Sequence, residues 1–139
     1  MDLLCHEVRR EPLEITDQAI FDELDPGDIL FIDGSHASCT NSDVTVGFLP
    51  RIRPGVLVHI HDVHLPYDYP TILADWFYNE QYLVAVQLLA AKGGYEIILP
   101  AAFIHNDPEL SAILRPVWDA LPADTFDTDG SSLWITKTE

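Results

Sequence analysis

Helical and extended patterns alternate along this chain, which predicts an α/β protein with a layered sheet covered by helices. Three observations carry that expectation. Ile29-Leu30-Phe31-Ile32 is a short continuous apolar run, and Val56–Ile60 is one interrupted only by His59, as expected of strands buried on both faces of a parallel sheet. Each run closes on a polar cluster, Asp33-Gly34-Ser35-His36 after the first and His61-Asp62-Val63-His64 after the second. Between and after them lie segments with the capping residues and apolar spacing of helices.

Residues 1–15 are mixed and polar, with a short alternating stretch at Cys5–Val8 that reads as a strand or the remnant of one. Thr16 or Asp17 caps a helix over Asp17–Leu24, which puts Ile20, Phe21 and Leu24 on one face. Asp25-Pro26-Gly27-Asp28 is a turn. After the first apolar strand, Asn41-Ser42-Asp43 opens a helix running to about Ile52, and Pro54-Gly55 stops it. The longest helical pattern runs from about Thr71 to Lys92, ended by Gly93-Gly94. Tyr95–Leu99 is a third strand. Asp107 with Pro108 at the first turn opens a helix reaching about Leu121, and Ser132–Thr136 is a closing strand.

At 139 residues the chain is expected to form one domain, 1–139, large enough for a single core. The 47% apolar and 22% charged fractions are those of a globular protein. Seven Lys and Arg against 23 Asp and Glu leave a formal charge of −16. A field of that sign repels phosphate backbones, which argues against nucleic acid and anionic membranes as partners. It suits a cation, although overall charge bears first on solubility. Two cysteines, Cys5 and Cys39, make no CxxC pair or disulfide framework. No stretch reaches the ~18 apolar residues of a membrane span, and no signal-length apolar segment opens the chain. A soluble, cytoplasmic protein is expected.

In open parallel sheets ligands bind beyond the carboxyl ends of the strands. Asp33 and His61-Asp62 stand at two such ends, and if the strands are neighbours the clusters face each other. A carboxylate from one and a His-Asp pair from the other then make an oxygen-and-nitrogen site for a divalent cation, or supply a general base. The structural alternative is a strand-ending turn at Asp33 and a cap at Asp62. His59 shares a face with His61 but sits deeper, as a hydrogen-bonded core histidine would. His64 reaches the site or lines its rim, and Tyr67 and Tyr69 form either a substrate wall or a structural turn. Among Trp76-Phe77-Tyr78-Asn79-Glu80-Gln81-Tyr82, Asn79 and Glu80 read either as satisfied core polar groups or as groups that support the site residues from behind. GxGxxG, GxxxxGK[ST] and GxSxG are all absent from the sequence.

The runs Ile29-Leu30-Phe31-Ile32-Asp33-Gly34-Ser35-His36, Asn41-Ser42-Asp43, Leu49 through Asp62, Pro66 with Tyr69-Pro70, and Tyr78-Asn79-Glu80-Gln81-Tyr82-Leu83 together resemble a class I methyltransferase of the methyltransferase domain 24 type. The resemblance spans about Val8 to Leu89. It implies a Rossmann-like sheet in which Ile29–Ile32 is the fourth strand and Val56–Ile60 the fifth. Tyr95–Leu99 and Ser132–Thr136 then close the sheet as an antiparallel pair, in the order 4-5-7-6. It also implies S-adenosylmethionine as cofactor, met by Asp33, Gly34, Ser35 and His36, and a divalent metal on Asp33, His61 and Asp62. His61 and Asp62 would be the catalytic pair. A His at the first position of that pair departs from the usual Asp.

The expected activity is O-methyl transfer to a small molecule or sugar. The resemblance places three further strands and a glycine-rich cofactor loop ahead of residue 1, so this sequence is expected to be the C-terminal half of the fold and to hold S-adenosylmethionine weakly. Two other readings are a non-catalytic interaction module and a metal-dependent hydrolase using His59, His61 and Asp62. An exposed edge at Ile29–Ile32, or the aromatic helix, is expected to drive self-association into a homo-oligomer.

Overall fold

A computed structural model describes residues 18–38, 49–90, 94–120 and 130–139. The expected strand at Cys5–Val8, the cap at Thr16 or Asp17, most of the helix opened by Asn41, and the helix ends at Lys92 and Leu121 lie outside these residues. Among the described residues four strands make one sheet: β1 (Ile29–Ile32), β2 (Leu57–His61), β3 (Tyr95–Pro100) and β4 (Ser132–Lys137). Their order is β1-β2-β4-β3. β1 and β2 are parallel, and β4 runs antiparallel to both β2 and β3. This is the expected α/β sheet with its last strand antiparallel.

The register explains where the core sits. Ile32 pairs with Ile60 and Ile60 with Leu133, while Leu30, Val58 and Ile135 align one step away. Side chains alternate across a strand, so these six residues share one face. Phe21, Leu49, Ile52, Val56, Val63 and Val84 pack against it to form the buried cluster. The opposite face carries a cross-strand row of rings, Phe31, His59 and Trp134. The base of β1 and β2 is set by a turn at Gly55, whose positive φ of 88° favours glycine. A Cβ there would come within 2.9 Å of Pro26 Cβ.

Among the described residues four α-helices accompany the sheet: α1 (Thr71–Asp75), α2 (Glu80–Ala90), α3 (Ala101–Asn106) and α4 (Pro108–Asp119). The first predicted helix is a short 3-10 segment, Gln18–Glu23. Residues 49–52 form a turn instead of the end of a helix, as Pro50 lacks the N–H that a continued helix needs. α4 starts as expected: the Asp107 side chain accepts from the N–H groups of Glu109 and Leu110, with Pro108 at the first position. α3 was not legible, because Ala101–Asn106 follows a strand without a capping residue.

The largest correction concerns the stretch expected as one helix over Thr71–Lys92. It is broken at Trp76–Asn79. Phe77 adopts φ 62°; its N–H bonds Ala74 O at 2.9 Å, and the N–H of Tyr78 bonds Leu73 O at 3.1 Å. This pair of bonds is a Schellman ending, in which glycine normally fills the left-handed position. The N–H groups of Asn79 and Glu80 then both donate to the carbonyl of His36, at 2.9 and 3.1 Å. The break therefore lets the start of α2 dock on the loop after β1. None of the helices among the described residues is long and apolar enough to cross a membrane.

Candidate functional site

Because β1 and β2 are parallel neighbours with Ile32 opposite Ile60, their carboxyl ends deliver Asp33 and His61-Asp62 side by side. His36 turns back from the loop after β1 and lies under them, buried, with its side chain only 3% exposed. Its Nδ1 is 3.2 Å from Glu80 Oε2. Its Nε2 is 3.4 Å from Asp33 Oδ1 and 3.8 Å from Asp62 Oδ2. His61 Nδ1 lies 3.2 Å from Asp62 Oδ1 and 3.7 Å from Asp33 Oδ1. That nitrogen is screened from solvent and makes no hydrogen bond. His36 and Asp62 both sit at positive φ, 54° and 50°. Left-handed backbone at non-glycine residues costs roughly 1–3 kcal/mol each and gathers at functional sites.

Electrostatics follow from this cage. Burial works to discharge the His36 imidazole, but the hydrogen bond and charge of Glu80, with Asp62 and Asp33 behind them, outweigh it and raise its pKa above the ordinary histidine value. Tyr78 packs on His36 with ring centres 4.6 Å apart, and burial, then the charges of Asp62 and Asp33, raise its phenol pKa. Tyr69 is pushed up to about 12, by burial first, while the N–H of Gln81 donates to its oxygen at 3.1 Å.

Each residue singled out in the sequence can now be placed. Asp33, His36, His61 and Asp62 come together, with Asp33, Gly34 and Ser35 exposed at the lip. The ligand atoms of Asp33, His36 and His61 lie within 4.8 Å of one another. His59 does not join them. Its ring is stacked on Phe31 at 4.5 Å and meets the edge of Trp134 at 4.5 Å. It is a core histidine as expected, but its Nδ1 makes no hydrogen bond. Burial, then the charge of His61, lowers its pKa despite Asp33.

Tyr69 is buried and Tyr67 exposed, so the two phenols do not form one wall. His64 is tied into the same loop: its N–H donates to Gln81 Oε1 at 2.9 Å, while Gln81 Nε2 donates to Tyr67 O at 3.2 Å. Gln81 is completely buried and holds the loop between β2 and α1 in place.

The sequence leaves Glu80 open between a core polar group and a support for the site, and does not show that His36 is its partner. Glu80 sits 44 residues from His36, inside a stretch that reads as continuous helix. The signal was nonetheless present: an Asn followed by an acid in the first turn marks a helix start. The Asn79 side chain serves the loop after β1 and not its own helix: its Oδ1 accepts from the N–H of Ser38, while the N–H of Gln81 goes to the Tyr69 oxygen.

Residues 5–63 match the model of a family described as a methyltransferase domain. This segment is similar to that family. No curated protein and no solved structure matches the chain. The matched segment contains both β1 and β2. The strand ends bearing Asp33, His36, His61 and Asp62 therefore all lie within the matched segment, whereas Glu80 lies beyond it.

Proposed function

We propose that this methyltransferase-domain chain serves S-adenosylmethionine-dependent O-methyl transfer to a small hydroxylated molecule or sugar. The observation that supports it is the convergence of Asp33, His61 and Asp62 at the adjoining carboxyl ends of β1 and β2, inside the matched segment. S-adenosylmethionine, when bound, supplies an electrophilic methyl group on a sulfonium centre. The exposed run Asp33, Gly34 and Ser35 is what this chain offers to such a cation, and its acidic character suits it.

The remaining chemistry belongs to this chain's own side chains. A hydroxyl seated above His61 and Asp62 meets a partly exposed imidazole and a carboxylate held together at 3.2 Å. Asp62 accepts the hydroxyl proton, and a divalent cation on Asp33 and His61 would lower the pKa of that hydroxyl. Buried Glu80 and Tyr69 fix the floor, so most of the rate advantage comes from positioning.

The test incubates the purified chain with S-adenosylmethionine, a divalent cation and a panel of catechols and sugars, and measures S-adenosylhomocysteine by mass spectrometry. Acceptor-dependent product that falls 100-fold or more in Asp62→Asn, on the scale of removing a general base, is the expected result. Absence of product across the panel from a folded chain overturns the reading.

A further inference from the structure

The carboxyl end of β1 and β2 carries more negative charge than its histidines balance. Asp33, Asp62 and Glu80 surround His36, and their ion-pair partners among the described residues are histidines, not lysines or arginines. Three carboxylates face two imidazoles there, so acidic groups outnumber basic ones. Two further observations point to what completes it. The Nδ1 of His36 is engaged by the buried Glu80 carboxylate, which leaves Nε2 directed at Asp33 and Asp62. A carboxylate behind one ring nitrogen is the arrangement that orients metal-binding histidines and strengthens them as ligands. Separately, His61 Nδ1 is shielded from solvent, makes no hydrogen bond, and faces the same Asp33 oxygen.

We propose that Asp33, His36 Nε2 and His61 Nδ1 bind a divalent transition cation, of the zinc, cobalt or iron(II) class, with Glu80 as the positioning residue behind His36. This rests on the reading of the cluster as a cation site and changes both its ligand set and its metal. Magnesium takes oxygen ligands, whereas two imidazoles and one carboxylate favour a softer ion. Three protein ligands leave coordination positions open for water or a substrate hydroxyl. Asp62 stays outside the ligand set, where it remains available as a base beside the open positions.

The experiment titrates the purified chain with cobalt(II), following its visible absorption, and compares zinc(II) and magnesium(II) by calorimetry. Cobalt and zinc are expected to bind at least tenfold more tightly than magnesium. His61→Ala and Asp33→Asn, both at partly exposed side chains, should each weaken cobalt binding tenfold or more. Glu80→Gln should weaken it about 10–100-fold, as loss of a histidine-orienting carboxylate does. Circular dichroism checks each variant; if Glu80→Gln unfolds, the two partly exposed positions decide. Cobalt binding no tighter than magnesium, or unchanged in His61→Ala, overturns the inference. Cobalt bound through these residues without any methyl transfer retains the inference and removes the proposed activity. Methyl transfer indifferent to both His61→Ala and Asp33→Asn does the reverse.

Discussion

Nδ1 of His36 lies 3.2 Å from Oε2 of Glu80, and both side chains are almost wholly buried. Because the carboxylate cage raises the histidine pKa, the folded state holds this proton more tightly than the unfolded chain does. The resulting stability is fully present below the unfolded value of 6.5 and is lost as pH rises through the folded value. Without added metal, Glu80→Gln should lower stability by about 2 kcal/mol at pH 6, the scale of a charged buried hydrogen bond, and by less at pH 8.5. Urea melts across that range check the difference. An equal loss at both ends would mean that His36 is not charged in the folded protein.

His59 acts in the opposite direction. Burial lowers its pKa, so its contribution is present above pH 6.5 and fades as pH falls through the depressed folded value. His59→Phe keeps a ring between Phe31 and Trp134 and removes a nitrogen that has no hydrogen-bond partner. The variant should gain about 1 kcal/mol near pH 5.5, on the scale of relieving an unsatisfied buried polar group. Thermal melts at pH 5.5 and 8 are the comparison, and a larger gain at pH 8 would contradict it.

Phe77 is 82% exposed yet occupies the left-handed position that ends α1. Glycine there avoids the steric penalty and gives up little packing. Phe77→Gly should stabilise the chain by about 1 kcal/mol, less the entropy that glycine adds to the unfolded state. Differential scanning calorimetry reads this as a rise in Tm of a few degrees. A fall would show that the Phe77 ring makes contacts worth more than the backbone strain.

Ile29 and Phe31 are each 59% exposed on β1, the end strand of the sheet among the described residues. An apolar end strand invites pairing with another chain. The protein is therefore expected to self-associate at micromolar concentration, and Ile29→Lys to shift it towards monomer. Light scattering on both decides, and a parent chain that is already monomeric removes the expectation.

Much of this architecture could be read from residue order. Continuous apolar runs ending on Asp33 and on His61-Asp62 mark two parallel strands, and strand ends are where such sheets bind ligands. Asp107-Pro108 announces α4 with its own cap. The break in the long helix could not be read, because Phe77 stands where glycine would give the stop signal and its neighbours keep an apolar helical pattern. Glu80 could be singled out as a core or supporting polar group, but its partner could not. Its contact with His36 depends on that break and on a backbone carbonyl 43 and 44 residues earlier, and no local pattern carries either. The ring row on the far side of the sheet was half visible: the spacing put His59 and His61 on one face, but only the register brings Trp134 beside His59.

The placement of β4 between β2 and β3 bears on how the protein comes to be made. Leu57 must find Thr136, and Tyr95 must find Lys137, so the strand at the middle of the sheet is the last to be synthesised. Until it emerges, β2 and β3 each hold an unpaired inner edge with nothing local to cover it. Sheets closed by such distant partners form slowly and leave apolar strands open to wrong neighbours in the interval. Slower translation or a lower growth temperature should consequently favour soluble yield, through the order of synthesis and not through any gain in the finished protein.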